Sequence, residues 1–166
     1  DASNSHAVSY KRLLELESEL RQEVDELFAL GEQLEQNELP EGLDLADEIA
    51  FREGRLVNLA QAKQVLEARA QERYEAEQAE YAAKLREREE KARRTGRKPG
   101  GHPPEPPTPG PRDQDQYNFT DPDSRIMKNS TNKGVEQHYN TQVAVDQASL
   151  LIVATTLSNH PNDKGE

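Results

Sequence analysis

Few residues in this chain have the types and spacing to do chemistry. Asp121 and Asp123 stand two apart across Pro122, at the end of a strand-like stretch. Carboxylate oxygens are hard donors that suit a hard divalent cation, which makes this turn a candidate for touching metal or DNA. The same residues also suit an Asx-type turn followed by a capped segment, with Arg125 pairing locally. A second cluster is basic: Lys84, Arg86, Arg88, Lys91, Arg93, Arg94, Arg97 and Lys98. That density is enough to neutralise nucleic-acid phosphates. Glu87, Glu89 and Glu90 lie at helical pairing distances within it, so a solvated, salt-bridged face is the competing reading. His6, His102, His138 and His160 are scattered without zinc-ligand spacing. Asp146 and Asp163 read as turn residues, and no Gly-rich phosphate loop, nucleophile elbow or Ser/His/Asp arrangement is present.

The elements that must position these residues are helical for about half the chain. Of 166 residues 33% are hydrophobic and 32% charged, with no Cys or Trp. Such a composition leaves little for a globular core and places most order in helix propensity and helix pairing. The absence of cysteine rules out a disulfide framework and a thiolate metal site and fits a reducing cytoplasm. No apolar run approaches the roughly 20 residues that span a bilayer, and no secretory signal pattern opens the chain. A soluble cytoplasmic protein, without a membrane partner, is the expectation. The formal net charge of -11 repels DNA over most of the surface, so a nucleic-acid contact has to be local.

Leu13, Leu20, Leu27 and Leu34 recur every seven residues, with Leu16, Val24 and Leu30 in the same stripe. This predicts a helix over about 9–38 with a coiled-coil seam. Pro40 and Gly42 end it. Asp44 is positioned to cap a second helix, with Asp47 in a capping-box-like place. Its stripe runs Leu45, Ile49, Arg52, Leu56, Leu59, Lys63, Leu66 and Ala70, then decays to Tyr74, Tyr81 and Leu85 among charges. Strong helix formers continue to about residue 94, some 50 residues or about 75 Å. A short turn between striped helices favours an antiparallel hairpin. The second half of the long helix either projects as a solvated single helix or finds another partner.

Seven of the ten prolines fall within Pro99–Arg112, an extended polyproline-like spacer with no core of its own. Beyond it, Tyr117–Thr120 reads as a short strand and Val135–Asp146 as one alternating, half-buried strand. Asp146–Ser149 turns the chain into Leu150–Leu157, an apolar β-branched run expected to be a well-buried strand. A lone hairpin is marginal at best, so the rest of its sheet has to be supplied from elsewhere. The chain opens on Asp1 rather than Met and ends in the polar turn Asn162–Glu166, which reads as an internal piece of a longer protein.

The run Asn118-Phe119-Thr120-Asp121-Pro122-Asp123-Ser124-Arg125-Ile126-Met127-Lys128, the strand Tyr139-Asn140-Thr141-Gln142-Val143-Ala144-Val145-Asp146 and the turn Asn162-Asp163-Lys164 together resemble bacterial insertion-sequence transposases. The likeness is to the DDE, RNase H-like class with a helical insertion, in which the same motifs follow in this order. Ala2-Ser3 and Ala7-Val8-Ser9-Tyr10 resemble the family's stretch just before that insertion. The resemblance implies hydrolysis at a transposon end, followed by attack of the freed 3'-hydroxyl on target DNA. It also implies Mg2+ (or Mn2+) in the complete enzyme, two ions about 4 Å apart activating the nucleophile and stabilising the leaving oxygen. In the family the first catalytic acid precedes the segment matching Ala2–Tyr10, and the other two follow the NDK turn. None of those positions falls within this chain, so Asp121 and Asp123 are the remaining catalytic candidates and no cofactor is expected in the fragment.

The expected fold is therefore mostly α, a long antiparallel helical hairpin or coiled coil, plus a short antiparallel β segment of an incomplete RNase H-like α/β domain. Its parts are a helical insertion over 1–95 (helices about 9–38 and 44–94), a basic, Pro-rich linker over 96–116 and a partial DDE β segment over 117–166. The expected function is that of a transposase fragment, inactive alone, whose complete protein meets transposon ends and target DNA. The basic residues Arg86, Arg88, Lys91, Arg93, Arg94, Arg97 and Lys98 are its DNA-contact candidates, and the helices offer a homodimer surface. A purely structural coiled-coil interaction module is the first rival, favoured by the acidic charge and leucine stripe. A different RNase H-like nuclease that shares only the sheet pattern is the second.

Overall fold

The computed structural model describes residues 6–34, 44–128, 135–147 and 149–159, with the side chains of residue 128 and residues 135–138 excepted. Two helices, α1 (Tyr10–Gln33) and α2 (Leu45–Thr95), dominate it. Six short strands form three antiparallel pairs: β1 (Ala7–Ser9) with β2 (Gln116–Asn118), β3 (Arg125–Lys128) with β4 (Val135–His138), and β5 (Asn140–Val145) with β6 (Ile152–Ser158).

Each helix begins and ends where its local chemistry dictates. Ser9 stands at the N-cap of α1 in extended conformation, and its hydroxyl accepts from the Arg12 amide. The next two orphan amides are satisfied from far along the chain, Tyr10 by the Asp115 carbonyl at 2.7 Å and Lys11 by the Asp113 carbonyl at 3.3 Å. The first turn of a helix leaves four donors without intrahelical partners, so this return segment completes the start of α1. Asp44 caps α2 by accepting from the Ala46 and Asp47 amides. Asp47 and Glu48 in the first turn and Arg93 and Arg94 in the last both complement the helix dipole. Gly96 ends α2 in the left-handed region at φ 63°, where a side chain is strained and glycine is not.

The helices pack antiparallel over a seam of Leu13 and Leu20 against Leu59, Ala62 and Leu66, with Val24 and Ala70 also buried. Alanine at 62 draws the helices close, and leucine fills the space on either side. Two positions of the predicted α2 stripe are basic, and both bridge to α1. Lys63 meets Glu17 at 3.2 Å and Arg52 meets Glu23 at 2.7 Å. The α1 stripe is buried at Leu13, Leu20 and Val24 and only half-buried at Leu27, Leu30 and Leu34, so the seam loosens toward the hairpin turn. Helix α1 stops at Gln33; residues 35–38 and the Pro40–Gly42 break lie outside the described residues.

The proline-rich segment departs from the expectation of a free spacer. It doubles back along the second half of α2 and is fastened to it. Arg88 donates to the carbonyls of Gly100, Gly101 and His102 at 3.2–3.3 Å. Tyr81, Pro104 and Pro107 line one cleft between the helix and the returning segment, and Arg112 pairs with Glu77 at 2.8 Å. Arg73 reaches both oxygens of Asp115, and its other terminal nitrogen reaches the Gly110 carbonyl. The open question of what covers the far half of the long helix is thereby answered within the chain. Polyproline backbone has no internal hydrogen bonds and its carbonyls stay available, which is what the arginines of α2 use.

The β region also differs from the sequence reading. The stretch predicted as one strand over Val135–Asp146 is two, broken at Tyr139, because its halves take different partners. Arg125 to Lys128 pair with His138 to Val135, whereas Asn140 to Val145 pair with Ser158 to Ile152. The strand predicted over Tyr117–Thr120 is Gln116–Asn118. It stops there because the Asn118 side chain accepts from the Thr120 and Asp121 amides at 2.9 and 3.3 Å, bending the chain away. The strand predicted over Leu150–Leu157 is Ile152–Ser158, and it is not buried. Leu150, Leu151, Ile152, Val153 and Leu157 are 64–78% exposed, because nothing among the described residues covers either face of β5–β6. Asp146 closes this hairpin as a turn residue, its carboxylate accepting from the Ser149 amide at 2.8 Å.

Candidate acidic turn and arginine groove

The two sequence-predicted sites lie apart. Asp121 and Asp123 sit beside the middle of α2, where the Arg69 Nη2 donates to the Pro122 carbonyl. The basic run occupies the far end of that helix, from residue 69 to residue 91 about 33 Å away at 1.5 Å per residue. Among the described residues nothing brings the two together into one surface.

The acidic turn is built from the Asn118 bend onward. Buried Asn118 orients the start, and buried Ser124 closes the end by donating its hydroxyl to the Asp121 carbonyl at 2.8 Å. The Asp121 carboxylate accepts the Tyr139 hydroxyl at 2.7 Å, and this bond raises the tyrosine pKa above its ordinary value. The Asp123 carboxylate is exposed, while its carbonyl accepts from Arg125 at 2.8 Å and from Asn159 at 3.2 Å. The Asx-type turn expected here exists, but Asn118 supplies it rather than Asp121. Arg125 pairs locally with carbonyls, not with a carboxylate.

Two divalent ions need several oxygen ligands held together. Among the described residues no group of three or more His, Cys, Asp or Glu converges, and Asp121 is already engaged by Tyr139. Asp121 and Asp123 by themselves do not make the donor set of a Mg2+ or Mn2+ pair, and no hydrolytic step can be assigned to this turn from its own side chains. Asp163 lies outside the described residues.

In the basic run, Arg88 is spent on the carbonyls of the returning segment, and Lys84 pairs with Glu80 at 2.6 Å. Arg86, Lys91, Arg93, Arg94, Arg97 and Lys98 are exposed, with no ion pair among the described residues. Among the described residues none of Glu87, Glu89 and Glu90 closes an ion pair; Lys84 is paired with Glu80 instead, and the exposed bases form a solvated face.

One feature was not singled out from sequence. A groove of about 890 Å³ runs between α2 and the return segment, lined by Arg69, Arg73, Arg112 and Arg125 with Glu72 and Asp115. Arg69 stacks over Tyr117 at 5.9 Å. Burial, and then the nearby Arg125, push its pKa below the ordinary value. The available signal lay beside the helix stripe: next to Ala70 and Tyr74, which continue it past Leu66, stand Arg69 and Arg73, an i, i+4 pair on one side of the helix.

No family model, curated protein or solved structure matches this chain at a significant level. No helix among the described residues is long and apolar enough to cross a membrane.

Proposed function

We propose that the chain is part of a DDE, RNase H-like transposase, with the span 10–115 an insertion into its catalytic domain. The observation that carries this reading is the pairing of Ser9 with Gln116 and Ala7 with Asn118. The helical excursion leaves one strand and returns to the adjacent one, as a segment spliced into a sheet must. The uncovered apolar strands β5 and β6 support the same reading, since a two-stranded ribbon with both faces wet needs neighbours to be stable.

On this reading the complete protein acts on transposon ends and target DNA in the bacterial cytoplasm with Mg2+ or Mn2+, and its catalytic acids lie outside this chain. The exposed bases Arg86, Lys91, Arg93, Arg94, Arg97 and Lys98 hold DNA at the far end of α2. The test is filter binding of duplex DNA at low and moderate salt. Affinity is expected at low salt, with a steep salt dependence that flattens when the six bases are changed to Gln. With Mg2+ or Mn2+ the chain is expected not to cleave DNA above an Asp121→Ala, Asp123→Ala control. Absence of DNA affinity at low salt would remove the reading.

A second reading is a non-enzymatic coiled-coil interaction module. Phe28 and Phe51, 53% and 66% exposed, favour it. Both lie on the half of the hairpin nearer the helix–helix turn and are not used by the intramolecular seam. A homodimer through these helices that forms without any DNA affinity would support this reading over the first.

A further inference from the structure

Arg69 and Arg125 donate to the same oxygen, the Pro122 carbonyl. Two guanidiniums that share one acceptor lie side by side, and a carbonyl carries no formal charge to offset either of them. The other two arginines of the groove are already neutralised, Arg73 by Asp115 and Arg112 by Glu77. Among the described residues every hydrogen bond of Arg125 goes to a carbonyl, those of Pro122, Asp123 and Ser124. Asp123 and Glu72 act on Arg69 through space, but neither closes to an ion pair with it. Among the described residues, Arg69 leaves its Nη1 and its buried Nε without a hydrogen-bond partner, and Arg125 leaves Nε and Nη2.

Paired, half-desolvated guanidiniums with unused nitrogens repel each other unless an anion lies between them. A tetrahedral oxyanion answers both the charge and the fork geometry of arginine. Tyr117, beneath Arg69, holds that side chain in place before any ligand arrives.

We propose that the groove bounded by Arg69 and Arg125 binds a phosphate-class oxyanion against the unused nitrogens of both side chains. The site is separate from the basic run at the end of α2, and it stands whether or not the chain handles DNA through that run. A nucleic-acid phosphodiester and free inorganic phosphate share the chemistry the groove recognises.

The experiment follows the arginine Nε–H resonances of the 15N-labelled chain by NMR. Inorganic phosphate is added at constant ionic strength against chloride, and in a second arm a short DNA duplex is added. Phosphate is expected to move the Arg69 and Arg125 signals saturably. Arg125→Gln should weaken that affinity on the order of tenfold, the loss of one charge-assisted contact. Arg125→Lys, which keeps the charge and loses the fork, should fall between. Circular dichroism checks that helix content survives each change, and the wild-type titration decides the matter even where a variant unfolds. A non-saturable response of the wild type, or one unchanged by Arg125→Gln in a folded chain, overturns the proposal. If DNA displaces phosphate from these two signals, the natural ligand is a phosphodiester; if phosphate binds and DNA does not compete, it is free phosphate, and either result sustains the site. DNA that moves only the signals of Arg86, Arg93 and Arg97 upholds the transposase reading independently of the groove.

Discussion

Nη1 of Arg73 lies 3.0 and 2.9 Å from the two carboxylate oxygens of Asp115. Asp115 also accepts the Arg112 amide through its side chain and gives its carbonyl to the first amide of α1. One residue thus joins the long helix, the returning proline-rich segment and the start of the short helix. It does so at the threshold of β2.

Breaking that junction should loosen the return segment more than the helices. Arg73→Ala or Asp115→Ala is expected to destabilise the fold by about 1–3 kcal/mol, since each leaves a half-buried charge without its partner. Limited proteolysis between residues 97 and 112 should accelerate well before helix content falls. Equal protection in mutant and wild type would show that the prolines dock without this tie.

Stability should concentrate in the middle of the seam. Leu13→Ala and Leu66→Ala, at 0% and 2% exposure, are expected to cost about 2–5 kcal/mol in urea unfolding. Phe51→Ala, 66% exposed, should change stability by no more than about 0.5 kcal/mol.

Acid should weaken the hairpin through Glu17. Its hydrogen bonds from Arg21 and Lys63 hold its pKa below the usual value of 4.5. A depressed folded-state value means the stabilisation is complete above 4.5 and is lost as pH falls through the lower, folded value. Melting temperatures of wild type and Glu17→Gln should differ at pH 7 and converge as the pH is brought well below 4.5. A gap that stays constant with pH would contradict the ion pairs.

Tyr139 offers a direct probe of the acidic turn. Its hydroxyl bond to Asp121 raises its pKa above 10.0. The contact is intact while the phenol is protonated and disappears as pH rises through the raised value. Ultraviolet titration should show two late-ionising tyrosines, Tyr139 and Tyr10, the latter raised by burial and by Glu67, and Asp121→Asn should return only one of them to the ordinary range. No change would mean that the carboxylate does not face the ring.

The uncovered hairpin should make the chain self-associate. Val153→Lys and Leu157→Lys place charge on an exposed apolar edge strand, which discourages strand addition. Sedimentation is expected to show fewer aggregates for the pair of variants than for wild type, with helix content unchanged.

What was legible in the sequence follows from range. The leucines of α1, the Asp44 cap and the Gly96 stop are local signals, and the helices lie close to where those signals place them. The docking of the proline segment was not legible, because it rests on Arg73 finding Asp115 at a separation of 42 residues. Alternation runs unbroken through Tyr139, so the change of strand partner there left no mark on the pattern. The apolar residues of 150–157 were read as buried on composition alone, whereas burial needs a covering layer that no described residue supplies. For the candidate site, the Asp121–Asp123 turn was visible as a turn. The arginine groove was not, since Arg69 meets Pro122 across 53 residues and a single basic residue on a helix has many ordinary explanations.

Helix α2 runs from Leu45 to Thr95, and the strand pair β1–β2 meets it near Arg69, close to its centre. The long helix therefore meets the strand pair at its middle rather than at an end, with arms of about 37 Å on either side at 1.5 Å per residue. Helix α1 is laid along one arm and the returning segment along the other, so each arm is splinted by chain that leaves or enters the same two strands.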